Sequence, residues 1–349
     1  MALHGRIAEH FAQQADACAR LGSPFTASLC RLLIDITDET TTIGRRIIHW
    51  TGDPRDDALA LRICGGLHRL VIERADPELL AVYPPATTDE AGLAEAVAGA
   101  FSRHEADLHA ALDSPPQTNE IARSAMLLPG FLTVAREAAL PLALCEIGSS
   151  GGLNLLFDRF HYRYGEAEFG EAASPVHIAP ENRSNVLPLD GELRIVSRHG
   201  CDIAPVDVLT QAGRARLRSY VWPDQPARLE RLDGAIALAQ KHPFKLERAD
   251  AADFAKRQLA ARPGNAAFVL FHSIMWQYLP HETRRSILAS LAEAGANATP
   301  EASIAHLRME PLELKEGWAT LSLTSWPGGH TRHLAKCDFH GRWIEWTDG

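Results

Sequence analysis

The 349-residue sequence has no apolar run of the length needed to cross a bilayer. Its first 22 residues lack the basic-then-apolar layout of a secretory signal peptide. There is no C-x-x-C pair; the six cysteines stand scattered at 18, 30, 64, 145, 201 and 337. Such spacing suits reduced thiols rather than a disulfide framework, and the expected location is the cytoplasm. Basic residues are in deficit, 35 against 44 acidic, for a formal net charge of −9. That balance disfavours nucleic acid or an anionic membrane as the main partner and leaves a small-molecule substrate. With 46% apolar and 23% charged residues the composition is that of a folded globular chain, not a disordered, collagenous or coiled-coil one. The length suggests two domains.

What is present first is helical periodicity. Phe25, Leu29, Leu32, Leu33 and Ile36 recur on one helical face, behind Ser23-Pro24 as N-cap and first helical residue. Leu61, Cys64, Leu67 and Val71 repeat the pattern, as do Leu93, Val97, Phe101, Leu108 and Leu112, with His104 on the apolar side. Breaks at Gly52-Asp53-Pro54, Pro84-Pro85 and Pro115-Pro116 divide this region into four to six helices. Residues 1–138 are expected to form a helical N-terminal domain. Near its end Asn119, Glu120 and Arg123 cluster within about one helical turn; capping is the plain reading, and Asn119 and Arg123 are candidates for substrate binding.

From residue 139 the character changes. Leu140 to Ile147 is a short apolar run of the kind found in buried parallel strands. It ends in Gly148-Ser149-Ser150-Gly151-Gly152 and a helix start at Leu153. A tight turn between a strand's carboxyl end and a helix presents backbone N–H groups to a ligand.

Three chemistries compete for this turn. A dinucleotide fingerprint needs glycine where Ser150 and Leu153 stand, so NAD and FAD are disfavoured. Gly148-x-Ser150-x-Gly152 satisfies the nucleophile elbow of serine hydrolases, with Ser150 as nucleophile and a histidine such as His272 as base. The helical residues ahead of it supply neither the earlier strands nor the oxyanion loop of that fold. Thirdly, Glu146-x-Gly148-x-Ser150-x-Gly152 resembles the first motif of class I methyltransferases. The resemblance implies that Glu146, Gly148, Ser150 and Gly152 form the loop around the methionine portion of S-adenosylmethionine.

Later segments continue a sheet. Leu193–Ser197 leads to Gly200-Cys201-Asp202, which resembles the methyltransferase stretch whose acid holds the ribose; Asp202 takes that role by likeness. About 50 residues separate Gly152 from Asp202, so an insertion at about 160–190 is required. Otherwise Phe160–Tyr164 is the second strand and Glu166 or Glu168 is the acid. Phe244 to Phe254 resembles the adenine-reading segment, with Asp250 as the reader and Asp253 as a helix cap. Ala267–Phe271 is a fourth buried strand that empties into His272. His272 is the candidate catalytic base, since its ordinary pKa suits proton removal near neutrality. Trp276 and Tyr278 are candidates to stack on a flat substrate, with core packing the alternative. A helix over 281–295, a strand over 303–310 and a closing antiparallel hairpin follow. His330, His333, Cys337 and His340 alternate between faces of that hairpin without a zinc framework, so no metal is expected.

Pro116–Glu120, Leu127–Phe131, Glu146–Leu155, Arg198–Asp202, Ser219–Gln225, His272–Tyr278 and Trp326–Gly329 together closely resemble one bacterial family, domain of unknown function 2332. The likeness runs over nearly the whole chain and implies a methyltransferase-like fold. The expected architecture is α/β: a helical N-terminal domain, then over 139–349 a Rossmann-like, mostly parallel sheet with a C-terminal antiparallel hairpin. The leading expectation is methyl transfer from S-adenosylmethionine to a small or medium acceptor entering beside His272. A serine hydrolase built on Ser150 and a non-catalytic nucleoside-binding protein are the alternatives.

Overall fold

A computed structural model describes residues 3–87, 89–313 and 316–348. The chain divides into two compact units, Met1–Thr118 with Thr210–Leu229, and Asn119–Leu209 with Glu230–Gly349.

The first unit is helical. Its helices are α1 (Gly5–Arg20), α2 (Pro24–Ile36), α3 (Thr42–Ile48), α4 (Leu59–Ile72), α5 (Pro77–Val82), α6 (Glu90–Arg103) and α7 (Glu105–Asp113). That is more than four to six, because α3 and α5 are too short to carry a periodic stripe. Ser23 caps α2 by accepting the Thr26 N–H, with Pro24 in the first turn, and Leu29, Leu32 and Leu33 are buried. Helix α4 is buried nearly all round, with Ile63, Cys64 and Leu67 at its centre and Leu61 and Val71 only half-buried. The apolar stripe from Leu93 to Leu112 is broken at His104, where φ and ψ leave the helical region. His104 turns from the apolar side to Asp76, 3.1 Å from its Oδ2. All six cysteines are free and buried, and Cys30 Sγ lies 3.8 Å from Cys64 Sγ.

The second unit is α/β. Helix α8 (Ser124–Ala138) leads to the all-buried strand β1 (Leu142–Ile147). Strands β2 (His161–Tyr164), β3 (Ala167–Phe169) and β4 (His177–Ile178) form a separate three-stranded sheet. Phe160–Tyr164 is therefore not the second strand of the main sheet. Strand β5 (Glu181–Asn182) joins the far edge of the main sheet, and β6 (Ile195–Asp202) pairs in parallel with β1. Helix α9 (Gln211–Ser219) belongs to the helical unit, and α10 (Pro226–Lys241) begins there. Then come β7 (Lys245–Arg248), α11 (Ala251–Ala260), β8 (Ala267–Ser273), α12 (His281–Ala296) and β9 (Ile304–Glu310). The chain closes with β10 (Ala319–Trp326), β11 (His330–Cys337) and β12 (Trp343–Trp346), three antiparallel strands rather than one hairpin.

The nine-stranded sheet runs β5-β12-β11-β10-β9-β8-β1-β6-β7. From β9 to β7 every pair is parallel; β10 and β11 run antiparallel to their neighbours. Strand β1 is the central one of the five parallel strands, and the chain moves outward from it to β6 and β7, then crosses back to β8 and β9. The order thus reverses between β1 and β8. Side chains alternate across a sheet. Ala143, Cys145 and Ile147 of β1 join a core with Phe254 of α11 and Ile287 and Leu291 of α12. The opposite face carries α8: Phe131 stacks on Phe157 at 4.0 Å and meets Phe271 edge-on at 5.0 Å. Helix α8 approaches β9 closely, since a Cβ on Gly130 would stand 2.7 Å from a Leu307 methyl.

Among the described residues no helix is long and apolar enough to cross a membrane.

Candidate functional site at the carboxyl edge of the sheet

The turn after β1 is built by backbone conformations that glycine permits: Gly148 has φ +66 and Gly152 φ +71. Ser150, at φ +53, takes the same left-handed region without that freedom. Asp202 at the end of β6 compensates: its Oδ2 accepts the Ser150 N–H and its Oδ1 the Ala204 N–H, each at 2.9 Å. Ser149 is held by its N–H to the Cys201 carbonyl, and its Oγ donates to the Glu146 carbonyl, both at 2.9 Å.

The expected α-helix at Leu153 is instead a 3₁₀ segment, Leu153–Arg159, broken at Leu156. Residues Leu153–Phe157 are all buried, so packing on every side, not amphipathic propensity, sets its shape. Asn119 accepts the Leu153 N–H at 3.1 Å, and Arg198 of β6 holds Asp158 in a bidentate pair at 2.7 Å. Asn119 thereby anchors the chain just after the turn.

Glu146 is the chemical centre of this layer. It is 4% exposed, and its Oε2 has no hydrogen-bond partner. Burial pushes its carboxyl up to about 8; the negative charge of Asp202 adds to this, while Ser149 and the Arg123 guanidinium oppose it. Arg123 itself donates Nε–H to the Phe339 carbonyl at 2.9 Å. Nearby, Asn154 donates to the Glu120 carbonyl, and its Oδ1 is buried without a partner.

A second polar group lies on the other face. Glu146 pairs in register with Phe271, which meets α8; His272, the next residue, points the opposite way. His272 is fully buried, its Nδ1 2.7 Å from Glu310 Oε1 and its Nε2 3.0 Å from His306 Nε2. Trp276 stacks on it at 4.9 Å, the planes 11° apart. Burial, with the neighbouring His272 and Arg308, holds His306 well below the usual histidine range, so it is neutral at pH 7. Both ring nitrogens of His272 are engaged, which leaves it none to serve as base for Ser150.

The sequence candidates are therefore distributed. Glu146, Gly148, Ser150, Gly152 and Asp202 share the edge of β1 and β6, with Asn119 and Arg123 beside them. Asp250 follows β7 at the same edge, next to Ala249, whose N–H donates to the Asp202 carbonyl at 3.1 Å. It is the N-cap of α11, accepting the Ala252 and Asp253 N–H groups, and Asp253 is an exposed first-turn residue, not the cap. Tyr278 is 77% exposed. His272 and Trp276 belong to the Glu310–His306 group. Sequence reasoning missed Glu310 and His306, although the signal was present: polar His306, Arg308 and Glu310 alternate with Ala305, Leu307 and Met309 in an interior strand. It also missed Met275 and Phe244, which lie over Gly148 and Gly152. A cavity of about 310 Å³ adjoins Phe244, walled by Gly151, Val206, Val208, Leu209 and Leu246. Among the described residues no group of three or more His, Cys, Asp or Glu side chains is placed to hold a metal ion.

The profile of a bacterial family described as "Uncharacterized protein conserved in bacteria (DUF2332)" matches residues 8–346. No curated protein and no solved structure matches the chain.

Proposed function

The chain belongs to the DUF2332 family, and we propose that it is a Rossmann-like, S-adenosylmethionine-dependent methyltransferase acting on a small or medium-sized acceptor. The observation that carries this reading is Glu146: a buried carboxyl with an unpartnered oxygen, on the central strand, beside a glycine turn. It stands where the strand order reverses, and in open parallel sheets the crevice at the carboxyl ends beside such a reversal is the favoured ligand site.

The residues fit the methionine end of the cofactor. Glu146 Oε2 is free to accept an N–H from an α-ammonium group, and the left-handed glycines allow close approach to the main chain. The fit at the nucleoside end is looser: both Asp202 oxygens already hold loop amides, and Asp250 caps α11. When bound, the cofactor supplies a methyl group on a sulfonium, which is already activated for transfer. The chain's work is then alignment and exclusion of water. Asp202 and Asn119 hold the turn rigid from two sides, and Arg123 keeps positive charge near Glu146. A proton on Glu146 lets that side chain stay buried at neutral pH without an ion pair.

Calorimetric titration with S-adenosylmethionine and S-adenosylhomocysteine, with NAD as control, tests the reading. Micromolar binding that is lost in Gly148→Trp is the expected result. No binding at millimolar ligand overturns it.

A further inference from the structure

The crevice at the reversal point is filled by the chain itself. A Cβ placed on Gly148 would stand 2.8 Å from Met275 Cε, 2.9 Å from its Cγ and 3.1 Å from its Cβ. The whole length of the methionine side chain therefore lies along the glycine. Three observations show that it is held there. Ile274, just before it, adopts φ +52, a left-handed conformation that a β-branched residue takes only under constraint. The Ile274 N–H donates to the Met309 carbonyl at 3.0 Å. Glu310 Oε1 then accepts the N–H groups of Met275 at 3.1 Å and Trp276 at 3.3 Å, while pairing with His272 Nδ1 at 2.7 Å.

We infer that Met275 is an internal stand-in for the thioether end of the ligand, latched in the crevice by Glu310, and that ligand binding requires the 274–276 loop to release it. The inference rests on the proposed reading of the site. Its chemistry is specific: the Met275 side chain against Gly148 is a thioether, CH₂–S–CH₃, and S-adenosylhomocysteine presents a thioether too, CH₂–S–CH₂. The space is thus matched to a thioether chain and closed to one at the same time. One carboxylate oxygen gathers both loop amides and the buried His272 ring, so loss of Glu310 frees the loop. Strain at Ile274 favours its departure. A protein whose binding-competent state is a fraction of the whole binds its ligand more weakly by that fraction.

The test compares wild type, Met275→Ala, Met275→Leu and Glu310→Ala by calorimetry with S-adenosylhomocysteine and by amide hydrogen exchange without ligand. Met275→Ala is expected to bind roughly tenfold tighter or more, by removing the competing occupant. Met275→Leu, which keeps the bulk, is expected to stay near wild type. Equal affinity of wild type and Met275→Ala for a ligand that both bind overturns the stand-in. Glu310→Ala is expected to exchange the Met275 and Trp276 amides faster than wild type, and unchanged protection in a folded variant overturns the latch. If Glu310→Ala does not fold, Glu310→Gln replaces it: loss of the carboxylate charge is expected to speed exchange at the same two amides, and unchanged exchange overturns the latch. If no variant binds the ligand, the methyltransferase reading fails, and the exchange arm still decides the latch.

Discussion

Ser150 donates its backbone N–H to Asp202 Oδ2 at 2.9 Å across 52 positions of sequence. The bond joins the turn after the central strand to the end of its neighbour. It also supports the left-handed backbone that a serine holds at a place where glycine would be unstrained.

Asp202→Ala leaves the Ser150 and Ala204 amides without their acceptor. We expect a loss of about 1–3 kcal/mol in denaturant unfolding. Faster exchange of the Ser150 amide should accompany it, and ligand affinity should fall because the turn is no longer rigid.

Glu146 makes stability depend on pH. In the fold it keeps its proton to about pH 8, whereas in the unfolded chain it loses it near ~4.3. Between those values the native state binds more protons, so this group's contribution to stability falls as pH rises through the window and levels off above it. Glu146→Gln should remove that slope and be more stable than wild type at pH 8.5. Urea unfolding from pH 5 to 8.5 measures both.

The same group reports ligand binding. An ammonium placed beside Glu146 favours its charged form and lowers its pKa. Binding of S-adenosylhomocysteine at pH 7 should therefore release a proton, seen as a binding enthalpy that varies with the ionisation enthalpy of the buffer. Glu146→Gln should show no such release.

Gly152 carries two constraints where Gly22 carries one. Both have positive φ, but a Cβ on Gly152 would run into the Phe244 ring, whereas nothing lies near one on Gly22. Gly22→Ala should cost about 1 kcal/mol from backbone strain, and Gly152→Ala roughly 2–4 kcal/mol. Paired thermal unfolding of the two variants isolates the contribution of the ring.

Asp76 ties three helices of the helical unit. Its side chain is inaccessible; Oδ1 accepts the Glu78 and Leu79 N–H groups at 3.0 Å, and Oδ2 meets Arg103 at 2.8 Å and His104 at 3.1 Å. Burial opposes its ionisation, but the Leu79 amide, Arg103 and His104 outweigh burial and hold its carboxyl below the usual range. The resulting stability is present above the unfolded pKa and is lost as pH falls through the lowered one. Asp76→Ala should cost about 2–3 kcal/mol at pH 7 and less in acid, in the same unfolding assay.

Strands β1 and β8 were legible because buried parallel strands write themselves as short apolar runs. Strands β6 and β7, mixed in polarity and only partly buried, were found by the likeness of their segments to methyltransferase motifs. The segments beginning at Leu140, Leu193, Phe244, Ala267 and Ser303 all contain main-sheet strands. The glycine turn was legible for a related reason: clustered glycines after an apolar strand mark backbone that must turn sharply. The helix after it was misread, because Leu153–Phe157 is buried on every side, Asn154 included, and carries no period to betray a 3₁₀ path. Asp250, not the expected Asp253, caps α11, since either aspartate can cap and only the backbone path at the helix start decides which one does.

The sequence alone determined that this is an α/β protein with a helical N-terminal part, a central strand ending in a glycine turn, and membership of one bacterial family. These follow from local pattern, which needs no knowledge of distant partners. Only the tertiary structure decided that Glu146 and His272 face opposite sides of the sheet, because that is a question of register between strands far apart in the chain. It alone decided that His272 spends both ring nitrogens on Glu310 and His306, and that Met275 lies in the crevice of Gly148. Those contacts arise from strand neighbours and loop strain, and no residue announces them in isolation.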